Sequence, residues 1–182
     1  KFILDYNKLY KKALFETDVS DKLIKMKSIV QNAHNNGKKV IFFGNGGSAG
    51  IATHAAVDFT KQGGIRTVNV NEAGIITCFA NDYGFEHWVQ KALEFYMDSD
   101  DVVVLISSSG TSKNMVNAAN YLKKCNNILI TFTGHSESNP LKQLGELNFW
   151  LDSKAYNIVE NVHLIWVLTV VDMIIGKPEY SV

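Results

Sequence analysis

Only two cysteines, Cys78 and Cys125, and two prolines, Pro140 and Pro178, occur in the 182 residues. Neither thiol has a second cysteine or a histidine at metal-ligand spacing, which excludes a zinc ribbon or a disulfide framework and fits a chain kept in the cytoplasm. Both thiols read as small buried hydrophobes. The prolines fall in a loop and in the tail, where a missing amide donor costs nothing.

Charge of one sign is missing as well. The 18 Lys and Arg residues balance the 18 Asp and Glu residues, and no basic block stands out, so neither nucleic acid nor a membrane surface is expected as a partner. A small anionic ligand has to be held by local geometry. The opening Lys1 to Tyr10 mixes lysines with aromatics and lacks the apolar run of a signal peptide, so no export is expected. The most apolar stretch, Val162 to Ile175, is interrupted by His163 and Asp172 and falls short of the roughly 20 residues that a bilayer span requires. It reads as a buried helix.

What is present is a globular composition, 46% apolar, with a size that suits one domain. No linker or repeat divides it. Residues 1–36 read as an N-terminal helical segment and residues 37–182 as an α/β core. Within the first segment, Leu23, Ile24, Met26, Ile29, Val30 and Ala33 recur at helical spacing before Asn35, Asn36 and Gly37 stop the helix. Lys39 to Phe43 then forms a short apolar run that enters Gly44-Asn45-Gly46-Gly47-Ser48 and a small-residue helix from about Ala49 to Lys61. The same order returns at Val102 to Ile106, followed by Ser107-Ser108-Ser109-Gly110-Thr111-Ser112 and a helix from about Lys113 to Lys124. Further runs at Arg66 to Val70, Asn127 to Phe132 and Leu147 to Leu151 give five strands in all. Strands alternating with helices predict a three-layer αβα fold around a five-stranded parallel sheet. A last helix from about Tyr156 to Ile175 carries apolar groups nearly all round, which predicts burial on more than one side and a subunit interface.

The two bends carry the chemistry. Glycines 44, 46 and 47 bring backbone N–H groups close to a ligand, and Ser48 stands at the mouth of the next helix, where anions are favoured. In the second bend four serine hydroxyls, Thr111 and a permissive Gly110 precede another helix start, so donors and helix dipole converge on one side. Such a bend can satisfy a phosphate without a fixed cation. A nucleotide cofactor is disfavoured, because neither Gly-x-x-x-x-Gly-Lys-Ser/Thr nor Gly-x-Gly-x-x-Gly is present.

Together, GNGGSAGIATHAAVDF, CFANDYGF, LISSSGTSKNMVNAA and a helix beginning near IVENVH resemble the sugar isomerase (SIS) domains, the phosphoheptose isomerases above all. The likeness runs over about residues 10 to 176. It implies that Asn45, Gly46, Gly47 and Ser48 line a phosphosugar site, that Asn81 and Asp82 touch sugar hydroxyls, and that Ser107, Ser108, Ser109 and Ser112 hold the phosphate. It also implies a homotetramer with sites at subunit boundaries, and a role in making surface heptose from sedoheptulose 7-phosphate.

Moving a proton between adjacent carbons needs a base and an electrophile. His54 and Asp58 are four apart on one helix and Glu160 and His163 three apart on another, so each pair shares a face. In the family the corresponding ligand set is His, Glu, Gln and a second His that bind zinc. Here His54 matches, but Asp58, Glu160 and Leu168 occupy the other three positions, and leucine can neither ligate nor move a proton. Two readings follow. In one, the site is rewired: Asp58 or Glu160 is the base, His163 is the acid or a ligand, and His54, Asp58 and Glu160 are candidate ligands of zinc. In the other, the chain is a non-catalytic phosphosugar-binding or scaffold protein.

Overall fold

A computed structural model describes residues 1–180. Its order is α1 (Phe2–Phe15), α2 (Ser20–Asn35), β1 (Val40–Gly44), α3 (Gly47–Lys61), β2 (Thr67–Asn69), α4 (Ala73–Tyr83), α5 (Trp88–Tyr96), β3 (Val102–Ser107), α6 (Lys113–Leu122), β4 (Ile128–Thr133), β5 (Leu147–Trp150) and α7 (Tyr156–Ile175). The five strands form one sheet in the order β2-β1-β3-β4-β5, and every neighbouring pair is parallel.

The continuous apolar runs of the central strands arise because both faces of the sheet are covered. Side chains alternate between the faces along a strand. Val40, Phe42, Val102, Val104, Ile106, Ile130 and Phe132 turn to one face, where they meet α2, α3 and α7. Ile41, Phe43, Val103, Leu105 and Leu129 turn to the other and meet α5 and α6. Each such fully buried side chain contributes about 1.5–3 kcal/mol relative to remaining in water. The layers are therefore those the strand and helix grammar predicts.

At the strand entrances the chain places its buried charges. Lys39 Nζ lies 2.6 Å from Asp98 and 2.5 Å from Asp101, and Asp101 also accepts the Lys39 backbone N–H at 2.9 Å. The far ends of the strands carry the glycine and serine bends instead.

Two expectations change in detail. The last helix starts at Tyr156 and is 20 residues long with a mean hydropathy of 1.8, long and apolar enough to cross a membrane. Its buried residues nonetheless form one stripe, Ile158, Val159, Val162, His163, Trp166, Val167, Val170 and Val171, packed into the core; Ile165 faces outward. The segment from residue 71 to 100, which has no strong periodicity, forms α4 and α5. Cys78 is exposed, because α4 has no fully buried residue, and Cys125, just beyond α6, is half-buried.

Candidate active site

In an open parallel sheet of order 2-1-3-4-5 the connections leave β1 and β3 in opposite directions, opening a crevice at their carboxyl ends where ligands bind. Strands β1 and β3 are paired up to Gly44 opposite Ile106. The glycine and serine bends follow directly, so residues separated by about sixty positions in sequence face one crevice.

The glycine bend is shaped by two glycines. Gly46 has φ +55°, a conformation that a side chain would strain. A Cβ at Gly47, the first residue of α3, would run into the Glu160 carboxylate of α7. Asparagines fix the rest. Asn71 Nδ2 donates to the Gly44 carbonyl at 2.7 Å, and the Gly44 N–H donates to Asn71 Oδ1 at 3.2 Å. This side chain mimics one more rung of the β1–β2 ladder. Asn45 and Asn114 exchange two amide hydrogen bonds of 2.9 Å each, tying the glycine bend to the first turn of α6.

The serine bend is braced from below. Asn139 is buried; its Nδ2 donates to the Ser136 carbonyl at 2.8 Å, and Leu141 N–H donates to the Gly110 carbonyl at 3.1 Å. Ser107 and Ser108 are buried while Ser109 and Ser112 are half-buried, so the hydroxyls range from the floor to the mouth of the crevice. Ser107 Oγ and Ser112 Oγ lie 3.4 Å apart. Ser48 is buried in the first turn of α3.

Glu160, half-buried in α7, joins the bends. Its Oε1 is 3.4 Å from Ser108 Oγ, and its other oxygen is what a Gly47 side chain would strike. A single carboxylate thus stands between the two candidate phosphate bends. The glycine and serine bends thus meet at Glu160 and at the Asn45–Asn114 pair.

Other expected residues lie elsewhere. His163 is fully buried beneath the bends; its Nε2–H donates to the Thr133 carbonyl at 3.0 Å, and its ring packs edge-on to Phe132. Burial pushes its pKa down to about 4, partly countered by the Thr133 hydrogen bond. A neutral core imidazole out of contact with solvent does not act as acid or ligand in the crevice, so the role expected for His163 is corrected. Asn81 and Asp82 are exposed in the last turn of α4, and Asn81 Nδ2 donates to Asp82 Oδ1 at 2.8 Å rather than to either bend.

His54 Nε2 and Asp58 Oδ2 are 3.2 Å apart on α3. By helical rise they begin about 10 Å beyond Gly47 and hence beyond the Glu160 carboxylate. Among the described residues, no three His, Cys, Asp or Glu side chains form a group able to hold a metal ion. With Leu168 half-buried against the core, the donor set His54, Asp58 and Glu160 does not fit zinc within one copy of the chain.

Residues 4–134 match the model of the SIS domain family. The chain belongs to the SIS domain family. Its SIS fold has relatives along nearly its whole length. A probable phosphoheptose isomerase of Thermoplasma acidophilum is 32% identical over 161 residues, covering 85% of this chain and 85% of that protein. A phosphoheptose isomerase of Fusobacterium nucleatum is 29% identical over 162 residues, covering 86% and 83%. The solved structure of a phosphoheptose isomerase from Francisella tularensis superposes with a TM-score of 0.88 over 97% of each chain at 22% identity, a likeness of fold.

Sequence reasoning missed Asn71, Asn114 and Asn139, which build this SIS crevice without facing it as hydroxyls do. The available signal was weak but physical. Asparagines beside strand ends or in a helix's first turn are poor helix and strand formers that gain from bonding to backbone or to each other.

Proposed function

We propose that this protein is a phosphosugar aldose–ketose isomerase of the phosphoheptose isomerase type, acting on sedoheptulose 7-phosphate or a close relative in heptose biosynthesis. The observation that carries the reading is the Glu160 carboxylate between the glycine and serine bends. A binding module needs the bends; a carboxylate set between them adds the proton acceptor that isomerisation requires.

In this reading the phosphate enters the serine bend, where Ser107, Ser108, Ser109 and Ser112 hydroxyls and the N–H groups at the start of α6 donate to its oxygens. The sugar chain runs toward Asn45, Gly46, Gly47 and Ser48 and passes Glu160. Glu160 removes the proton from the carbon beside the carbonyl and returns it to the neighbouring carbon. No net oxidation occurs. Solvent entering the crevice gives a proton to the carbonyl oxygen and takes one from the neighbouring hydroxyl, since His54 and Asp58, 3.2 Å apart, begin beyond the Glu160 carboxylate. The side chains act without a metal ligand set.

We propose further that the working form is a homotetramer in which a second copy brings Asn81 and Asp82 to the crevice. Support comes from α4, which has no fully buried residue although it carries Ile75, Ile76, Phe79 and the exposed Tyr83, and from exposed Phe85 and Phe95 beside it. Apolar surface of this extent marks an interface.

The test is turnover of sedoheptulose 7-phosphate by the purified protein, followed by product formation and by exchange of solvent deuterium at the carbon next to the carbonyl. Product and exchange are expected, and both are lost in Glu160→Gln. Tight binding with neither product nor exchange would sink the isomerase reading in favour of a phosphosugar-binding module.

A further inference from the structure

We infer that Asn114 is a positioning residue of the sugar site, fixing the direction in which Asn45 presents its amide to the substrate. The assignment rests on the phosphosugar reading of the crevice. Asn114 is 2% exposed in the first turn of α6. Its side chain makes hydrogen bonds with one partner among the described residues, the Asn45 amide, giving and receiving at 2.9 Å.

A primary amide has two N–H donors and a carbonyl oxygen with two lone pairs. The reciprocal pair uses one donor and one lone pair on each side, leaving Asn45 one donor and one acceptor for a ligand. Turning either amide over by itself would set oxygen against oxygen and nitrogen against nitrogen. The two side chains are therefore locked as a unit. Asn71 holds the backbone of this bend at Gly44, so backbone and side chain are fixed separately, from β2 on one side and α6 on the other. Half-buried Asn45 is ordered before ligand arrives, and the ordering cost is removed from binding.

This arrangement also couples the bends. Asn114 stands two residues after Ser112, on the helix whose N-terminus faces the phosphate, and reaches the bend that faces the sugar. Loss of the amide pair is expected to loosen sugar recognition while leaving the phosphate grip.

The experiment compares the full-length protein with Asn114→Ala and the isosteric Asn114→Asp, using calorimetry with sedoheptulose 7-phosphate and, separately, inorganic phosphate. The expected result is about tenfold weaker binding of the sugar phosphate with inorganic phosphate held within about twofold, a tenfold change corresponding to one weakened hydrogen-bond set. In an Asn45→Ala background, Asn114→Ala should cause no further loss, as for two residues acting through one contact. Equal loss for both anions, or additive losses in the double variant, would overturn the positioning role. If Asn114→Ala does not fold, Asn114→Asp keeps the shape and removes the donor. The Asn45 side-chain amide signals in a nitrogen–proton NMR spectrum should then shift, and unchanged signals would overturn the pairing. Failure of the unmodified protein to bind either anion would instead sink the phosphosugar reading itself.

Discussion

The Glu160 carboxylate lies 3.4 Å from the Ser108 hydroxyl and fills the space where Gly47 would otherwise carry a side chain. One residue of α7 therefore touches both bends of the crevice, although 52 and 113 positions separate it from them.

Replacing Glu160 with glutamine keeps the shape and removes the proton acceptor. The expected outcome is a fall in kcat of about 10²–10⁴, the usual contribution of a general base. Binding of inorganic phosphate should not weaken, since a neutral amide repels it less. A kcat within about threefold of the unmodified protein would remove Glu160 from the chemistry.

Gly47→Ala tests the same carboxylate without altering it. Gly47 has no left-handed backbone to strain, and alanine suits a helix's first turn, so thermal stability should hold or rise slightly. The added methyl group displaces the end of the Glu160 side chain. Activity is expected to drop about tenfold or more for a displaced catalytic group, measured as kcat at saturating sedoheptulose 7-phosphate. A large fall in melting temperature would point instead to a packing defect.

Chelation tests whether the chain works without a metal ion. The separation of His54 and Asp58 from Glu160, with Leu168 beside the core, predicts that turnover and melting temperature survive dialysis against a strong chelator. Loss of activity restored by added zinc would show that two copies of the chain assemble a ligand set that one copy lacks.

His163 predicts a pH dependence of stability. In the fold it stays neutral down to about pH 4, against an ordinary value of 6.5, so below 6.5 the unfolded chain takes up the proton first. The stabilising contribution is complete above pH 6.5, declines as the pH falls and levels off below about 4. Its full size is about 3 kcal/mol for a shift of this extent. Denaturant unfolding across that range should give a shallower slope for His163→Leu than for the unmodified protein; parallel slopes would reject the assignment.

The α/β architecture could be read from the chain because its signals are local. The runs at Val40 and Val102 are apolar on both faces, and each ends in residues that turn and donate. The crevice was partly legible for the same reason, since Gly44 to Ser48 and Ser107 to Ser112 announce themselves by composition. His163 shows where such reading stops. Three residues from Glu160, it turns onto the buried stripe of α7, and a helix that is apolar nearly all round gives no sign of which side meets the sheet. Asn114 and Asn71 were hidden for another reason: each works through a partner brought close only by the pairing of β1 with its two neighbours.

The phosphate bends contain no lysine or arginine; their donors are peptide N–H groups, hydroxyls and amides. Mobile ions in solution screen net charges over about 8 Å at physiological strength, and the net charge they meet here is the Glu160 carboxylate, which repels the ester. Affinity for the ester should therefore hold or rise, and not fall, between dilute and concentrated potassium chloride.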